Sequence, residues 1–422
     1  MNDKTDWLPL CEDYLRRLCI EISDRSVGSE GNREATRFFS RELKSLGWKT
    51  ETPEFPALDW HDGGSYLRSR DRSFEVQTSP YSPGCDLEAP LLSASSVKEL
   101  ESLHIRGSLL LLHGEIAREQ LMPKNFVFYN PEEHQHIISL LEKGEPKAIL
   151  CATSRNAALA GGVYPFPMIE DGDFHIPSVY MTEEEGRALL SCIGQTLTLQ
   201  SDSTRIASTA CNVIGRMGAE AADNAETAEN TETAETAEKI LVTAHIDAKK
   251  GTPGAIDNAT GVIILLLLAR LLKDYRGKTA IELLAFNGED YYAVPGQMDY
   301  IRTNQNSFDS IRLNINIDGA GFREGPSCFS LFGLPAPMQQ TVLNLIDESP
   351  DIVEAEPWPQ GDHSIFVQYG RPALAVSSKW FIDNIEDQDI THTPKDQPGI
   401  VDCSKVLNLA RSIHRLILDL SS

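Results

Sequence analysis

Three apolar runs along the chain finish in the same way. KILVTA (239–244) runs into His245 and Asp247, TAIELLAF (279–286) into Asn287-Gly288-Glu289-Asp290, and IRLNINI (311–317) into Asp318. Each reads as an apolar strand of the main sheet. Between the first two lies VIILLLLARLL (262–272), which reads as a helix, so residues 239–272 form one strand-loop-helix unit. The alternation continues with a helix over Gly296 to Asn304, another over Pro337 to Asp347, a strand PALAVSS (372–378) and a last helix over Ser404 to Leu420. Upstream, Leu10, Tyr14, Leu15, Leu18, Cys19 and Ile22 fall at helical spacing over 7–22, a second helix spans Glu34 to Leu46 before Gly47, and WKTETPEF reads as an edge strand. The pattern predicts an α/β fold, a mostly parallel, mixed sheet with helices on both faces.

From Gly63 to Ser208 the texture changes to short strands, frequent Gly and Pro, and a few short helices. This predicts a smaller β-rich domain (63–208) inserted into a main domain made of 1–62 and 209–422. SLLLLHG and AILCAT read as its buried strands, with HQHIISLLEKG as a helix between them. His134 and His136, at alternate positions on that helix start, do not face one another and read as solvated. Within the main domain, residues 216–238 read as an acidic, solvated loop, because the Ala, Glu and Thr near-repeat there offers no large apolar side chain to bury.

Composition narrows the classes. With 422 residues, 41% hydrophobic and 24% charged, the chain has the make-up of a soluble globular protein, and its net charge of −24 argues against binding a nucleic-acid backbone. No apolar run reaches the roughly 18 residues needed to span a bilayer. The opening MNDKTDW lacks the pattern of a secretory signal, and the eight cysteines show no C-x-x-C spacing. These features point to a cytoplasmic protein with reduced thiols and no membrane partner; the oligomeric state is open.

A single His or Asp at a strand end commonly caps a helix or closes a turn. Here the pattern recurs at three strand ends, and Asp257 follows in the loop after the first. In open α/β sheets the loops at that edge converge on a ligand crevice. The collected groups are His245, Asp247, Asp257, Glu289, Asp290 and Asp318, with His363 and His392 in later loops. Imidazole and carboxylate without thiolate suit catalytic rather than structural zinc. So many donors exceed the needs of one ion; two ions about 3.5–4 Å apart, bridged by a carboxylate, would use them and would activate a water. Of the adjacent acids Glu289 and Asp290, one can face metal while the other stays free as a general base. The chemistry is metal-assisted hydrolysis of an acyl bond. No G-x-S-x-G elbow, H-E-x-x-H helix or P-loop is present.

The ordered segments HID (245–247), GAIDNATG (254–261), FNGED (286–290), NIDGAG (316–321), DHSIFVQYGRP (362–372) and HTPKD (392–396), together with the opening DRSVGSEGNREATRFFSRELKSLGW, resemble metallopeptidase family twenty-eight, the two-zinc aminopeptidases and carboxypeptidases. The resemblance covers roughly 1–55 and 210–420. It implies two zinc ions held by His245, Asp257, Asp290, Asp318 and His392, with Asp257 bridging, Glu289 as general acid/base, and Asp247 orienting His245. It also implies a peptide substrate, with an aminopeptidase the expected subclass, and a cis peptide bond between Asp257 and Asn258. Asp290 departs from the family pattern, where Glu is commoner. The inserted segment is similar to a protease-associated domain. Two alternatives stand beside this reading: a single-zinc, glutaminyl-cyclase-like acyltransferase, and a receptor-like module without catalysis. Trp358, Tyr369, Trp380 and Phe381 are candidates for an apolar pocket, and His363 for orienting substrate.

Overall fold

The computed structural model describes residues 7–155, 163–218, 238–385 and 387–421. Most of the acidic segment, 219–237, lies outside them. The chain divides into two compact units, one of residues 1–56, 209–384 and 390–422, the other of 57–208 with 385–389.

In the larger unit eight strands form one sheet: β1 (Lys49–Glu51), β2 (Val213–Met217), β3 (Lys239–His245), β4 (Ala280–Phe286), β5 (Ile311–Ile317), β6 (Ser327–Phe332), β7 (Ile352–Glu354) and β8 (Ala373–Ser378), in the order β1-β2-β4-β3-β5-β8-β6-β7. The four central strands β4, β3, β5 and β8 run parallel, and antiparallel pairings at β2 and β6 make the sheet mixed. Two strands, β6 and β7, were not expected. In β6 the sequence SCFSLF interleaves Ser327 and Ser330 among apolar residues, and both serines are buried.

Among the described residues eight α-helices accompany the sheet: α1 (Leu8–Arg16), α2 (Glu30–Ser45), α3 (Thr260–Leu271), α4 (Pro295–Asn304), α5 (Ala336–Asp347), α6 (His363–Gln368), α7 (Lys379–Asp383) and α8 (Cys403–Leu420). Helix α3 explains the core. Its residues from Thr260 to Ala269 are all buried, because it packs on β3 and β4 with one side and is covered by α1, α2 and α8 on the other. A helix apolar all round is stable only when sandwiched in this way. Helix α2 begins four residues before the position expected from periodicity, because the Ser29 side chain accepts from Asn32 N and caps it early. Gly47 sits just past its end at φ +82°, the left-handed conformation that closes such helices.

Strand register brings the site residues level. His245 pairs with Phe286 across β3 and β4, and Thr243 pairs with Asn316 across β3 and β5. The three strands therefore stop at one edge. Just below it, Thr243 Oγ1 donates to Asn316 Oδ1 (2.7 Å) and accepts from Asn314 Nδ2 (3.1 Å), a buried polar chain that locks β3 to β5.

The smaller unit also carries an eight-stranded sheet. Four of its strands, Cys85–Ala94, Leu109–Leu112, Ala148–Thr153 and Ser178–Thr182, form a parallel run, and both LLLL and AILCAT are buried throughout. His134 corrects the expectation of a solvated pair: it is buried, and its Nδ1 accepts from Met122 N at 3.1 Å, while His136 is exposed and meets Glu101. Position on the helix decides this, since only His134 lies on the face that also buries Ile137, Ile138 and Leu141. Among the described residues no helix is long and apolar enough to cross a membrane.

Candidate active site

The site grows from the sheet edge. His245 ends β3, and its Nε2 lies 3.0 Å from Asp257 Oδ1 and 3.6 Å from Asp318 Oδ1. His392 Nε2 lies 3.1 Å from Asp257 Oδ2 and 2.9 Å from Asp290 Oδ1. Asp257 thus turns one oxygen to each of two donor groups, His245 with Asp318 and His392 with Asp290, and the donor atoms of each group lie within 4.8 Å of one another. Asp257 is placed by the turn after β3, where the Asp257–Asn258 peptide bond is cis. Asn258 donates to Ile317 O (2.7 Å) and accepts from Gly261 N, tying that turn both to the end of β5 and to the start of α3.

Several polar atoms here lack the partners that burial demands. Despite the short distances, neither ring nitrogen of His245 makes a hydrogen bond among the described residues, and Asp290 Oδ2 has none either. Buried polar atoms normally find partners. Nitrogen and oxygen donors converging at these distances without hydrogen-bond geometry are suited to a divalent cation between them, and this donor set fits zinc at both groups.

Electrostatics agree. Burial alone would lower His245, but Asp247, Asp257 and Asp318 hold it well above the ordinary imidazole value. His392 is raised in the same way by Asp290 and Asp257 against its burial. Burial pushes Glu289 well above the usual carboxylate range; His245 opposes this, and Asp290, Asp318 and Asp362 add to it. Burial and the Asp257 charge raise Asp290. Protons drawn onto these groups compensate a density of negative charge that a cation would compensate better.

Asp247 is fully buried. Its Oδ1 accepts from Gly288 N (2.8 Å) and its Oδ2 from Asp290 N (3.0 Å), so it shapes the turn that carries Glu289 and Asp290. The same Oδ1 lies 3.7 Å from His245 Nδ1. His363 is wholly buried; its Nε2 meets Trp358 O at 2.9 Å and its ring packs against Phe332 and Trp358, so it braces a loop. Of the four aromatic candidates only Trp358 is placed beside the donors. A Cβ on Gly361 would lie 3.1 Å from the Trp358 ring and 3.4 Å from Asp318 Oδ2. Tyr369 stacks on Phe308, and Trp380 and Phe381 pack on Phe322 as ordinary apolar contacts.

Three buried groups escaped the sequence reading. Asp396 accepts from Ile256 N and Asp257 N, Arg25 donates to carbonyls in the loops after β3, and Asp362 accepts from Gln297 Nε2 at 2.8 Å while its Oδ2 has no partner among the described residues. Burial pushes Asp362 up to about 7, as it does Asp396. All three sit inside the ordered motifs, but nothing in the sequence shows which backbone groups or side chains they meet.

Residues 226–417 match the model of peptidase family M28. The matched segment, under half of the chain, resembles a metallopeptidase domain of that family. All the donor residues lie within the matched segment of that domain. Over 392 residues the chain is 20% identical to a probable leucine aminopeptidase 2 of Aspergillus oryzae (strain ATCC 42149 / RIB 40), covering 89% of this chain and 65% of that protein. The chain therefore spans about two thirds of that relative's length. Among solved structures, the aminopeptidase from Aneurinibacillus sp. strain AM-1 superposes with a TM-score of 0.74 at 18% identity, covering 98% of this chain and 93% of that one. BSAP, a zinc aminopeptidase from Bacillus subtilis, does so with a TM-score of 0.71 at 18% identity, covering 98% and 95%. At such identities the M28 likeness to these structures is one of fold.

Proposed function

We propose that the protein is a zinc-dependent exopeptidase, an aminopeptidase that removes N-terminal residues from peptides, with two zinc ions per chain. The observation that carries this is the division of Asp257, one oxygen towards His245 and Asp318 and the other towards His392 and Asp290. His245, Asp257 and Asp318 would hold one ion, and Asp257, Asp290 and His392 the other. Bound zinc supplies Lewis acidity, polarising the acyl oxygen and making water acidic enough to attack at neutral pH.

The chain's own residues do the rest. Glu289 is the only member of the paired acids outside both donor groups, and its raised pKa suits a group that takes a proton from the attacking water and hands it to the leaving amine. Asp247 holds the Glu289 turn through the N–H groups on either side of it. Trp358, beside Asp318, offers an apolar wall to the first side chain of the substrate. The smaller unit, which contributes none of the donor residues, is read as a protease-associated-like domain that serves access or assembly rather than chemistry.

The test is metal content per chain by elemental analysis, with hydrolysis of a panel of aminoacyl amides before and after chelation and zinc restoration. Two zincs with chelator-sensitive release of amino acids is the expected result. One zinc favours the cyclase-like alternative, and none, even with zinc supplied, favours a binding module.

A further inference from the structure

We propose that Arg25 and Asp396 are positioning residues, each dedicated to one of the two donor groups that share Asp257: Arg25 fixes Asp257 relative to His245, and Asp396 fixes it relative to His392. The inference rests on the dinuclear reading of the site and assigns that site two tethers.

Arg25 is 2% exposed, and its guanidinium donates to four backbone carbonyls: Nε to Ile246 O (3.1 Å), Nη1 to Leu18 O (2.6 Å) and Pro253 O (2.8 Å), and Nη2 to Gly254 O (2.7 Å). Ile246 stands between His245 and Asp247, and Pro253-Gly254 opens the turn that delivers Asp257. One rigid, planar fork therefore spans the two chain segments whose spacing sets the distance from His245 to Asp257. The approach is close enough to dictate the residue at 254. Gly254 has φ +58°, and a Cβ there would stand 2.7 Å from Arg25 Nη2. The Arg25 backbone is held in turn: its carbonyl accepts from Asn32 Nδ2 (2.9 Å), and Asn32 exchanges a pair of bonds with Asn287 just past the end of β4.

Asp396 works from the other side. It is wholly buried, and its two carboxylate oxygens accept from Ile256 N (2.7 Å) and Asp257 N (3.0 Å), while its own carbonyl accepts from Ala255 N (3.3 Å). Asp396 lies four residues after His392 and is joined to it through a turn closed by Asp396 N to Thr393 O (3.2 Å). The carboxylate thus binds the His392 loop to the backbone that carries Asp257. Both tethers act on the same residue, but each reaches back to a different histidine.

A carboxylate that bridges two ions tolerates little displacement, and removing a group that orients a metal ligand commonly lowers affinity 10–100-fold. A merely structural role for either residue would lower stability and leave the two donor groups equally affected. The experiment separates these. Zinc affinity, by competition with a chromophoric chelator, and the cobalt(II) absorption spectrum are measured for Arg25→Lys and Asp396→Asn in two backgrounds, His392→Ala, which leaves the His245 group, and His245→Ala, which leaves the His392 group. Asp396→Asn is expected to weaken the remaining ion tenfold or more, with a shifted cobalt spectrum, in the His245→Ala background and less than twofold in the other. Arg25→Lys is expected to show the reverse.

Equal effects in both backgrounds, or none, overturn the proposal. Should Arg25→Lys fail to fold, Asp396→Asn decides alone: a divided effect supports dedicated tethers and an undivided one removes them. A wild-type chain that binds fewer than two zincs overturns the dinuclear reading and this inference together, whereas two zincs with undivided effects overturn this inference only.

Discussion

The two ends of β4 both bury carboxylate, and they treat it in opposite ways. Near its start, Glu282 is 2% exposed and fully answered: Arg216 Nε lies at 2.9 Å, Lys239 Nζ at 3.3 Å and the Tyr300 hydroxyl at 3.0 Å. Burial alone would raise Glu282, yet Lys239 and Arg216 outweigh it and hold the carboxyl below its ordinary value. Beyond the strand's other end, like charges crowd. Burial first and then the Asp257 charge raise Asp290 against His392, and burial with Asp290, Asp318 and Asp362 raises Glu289 against His245. The first arrangement is closed within the fold. The second reaches balance only with protons or a cation from outside, and strongly perturbed carboxylates gathered at one strand edge are the physical mark of a functional site.

The sharpest way to break the comparison is to neutralise one acid at each end. Glu289→Gln is expected to leave both zincs bound and to lower kcat by roughly a thousandfold, the range of general-base loss; a rate near wild type would remove Glu289 from its role. Glu282→Gln is expected to leave metal content unchanged and to destabilise the fold by about 3 kcal/mol, since it leaves Lys239 beside a neutral amide and Arg216 with only its Glu51 pair. Urea unfolding reads the second effect, and a loss of zinc in Glu282→Gln would show that the two ends are not independent.

The contrast between the ends also explains what could be read from the chain. The closing residues of β3, β4 and β5 were legible because three apolar strands each stop at His, Asp or Glu, and parallel strands bring those side chains to one edge. Helix α3 was legible from its unbroken apolar stretch. The supports were not. Arg25 lies more than two hundred residues from the carbonyls it binds after β3, and Asp396 binds backbone N–H groups, which every sequence offers equally. Strand β7 is only Ile352–Glu354, and serines interrupt the apolar residues of β6, so periodicity says little about them. The aromatic candidates divided for the same reason: composition does not tell Trp358, beside Asp318, from Trp380, packed on Phe322.

Asp290→Asn sharpens the comparison further, because it should stabilise and weaken at once. Removing one of the crowded charges is expected to raise the stability of the metal-free protein by about 1 kcal/mol, the usual gain when a functional site gives up a strained group. The same change removes a donor from the His392 group and lowers zinc affinity. Thermal unfolding with and without zinc separates the two, and a metal-free variant less stable than wild type would mean that the crowding is compensated within the chain.

The smallest expected signal lies in the pH dependence of the metal-free protein, where the two ends have opposite signs. Glu282 has a depressed folded pKa, so its contribution is present above the unfolded value near 4.5 and is lost as pH falls through the folded one. Asp362, raised to about 7 by burial with Asp318 and Asp247 adding against His245 and Gln297, binds its proton more tightly folded than unfolded. Its contribution is therefore fully present below the unfolded carboxyl value and is lost as pH rises through about 7. His245 and His392, both raised, push the same way, since their stabilisation fades as pH climbs through their folded values. The metal-free protein should accordingly lose stability between about pH 5 and 8, and Asp362→Asn should flatten that slope while Glu282→Gln leaves it in place and removes the decline below about pH 4.5. Zinc should cancel the upper slope, because a cation favours the ionised carboxylates and neutral imidazoles that high pH supplies. A slope unchanged by both Asp362→Asn and zinc would assign it instead to the net charge of −24 spread over the whole chain.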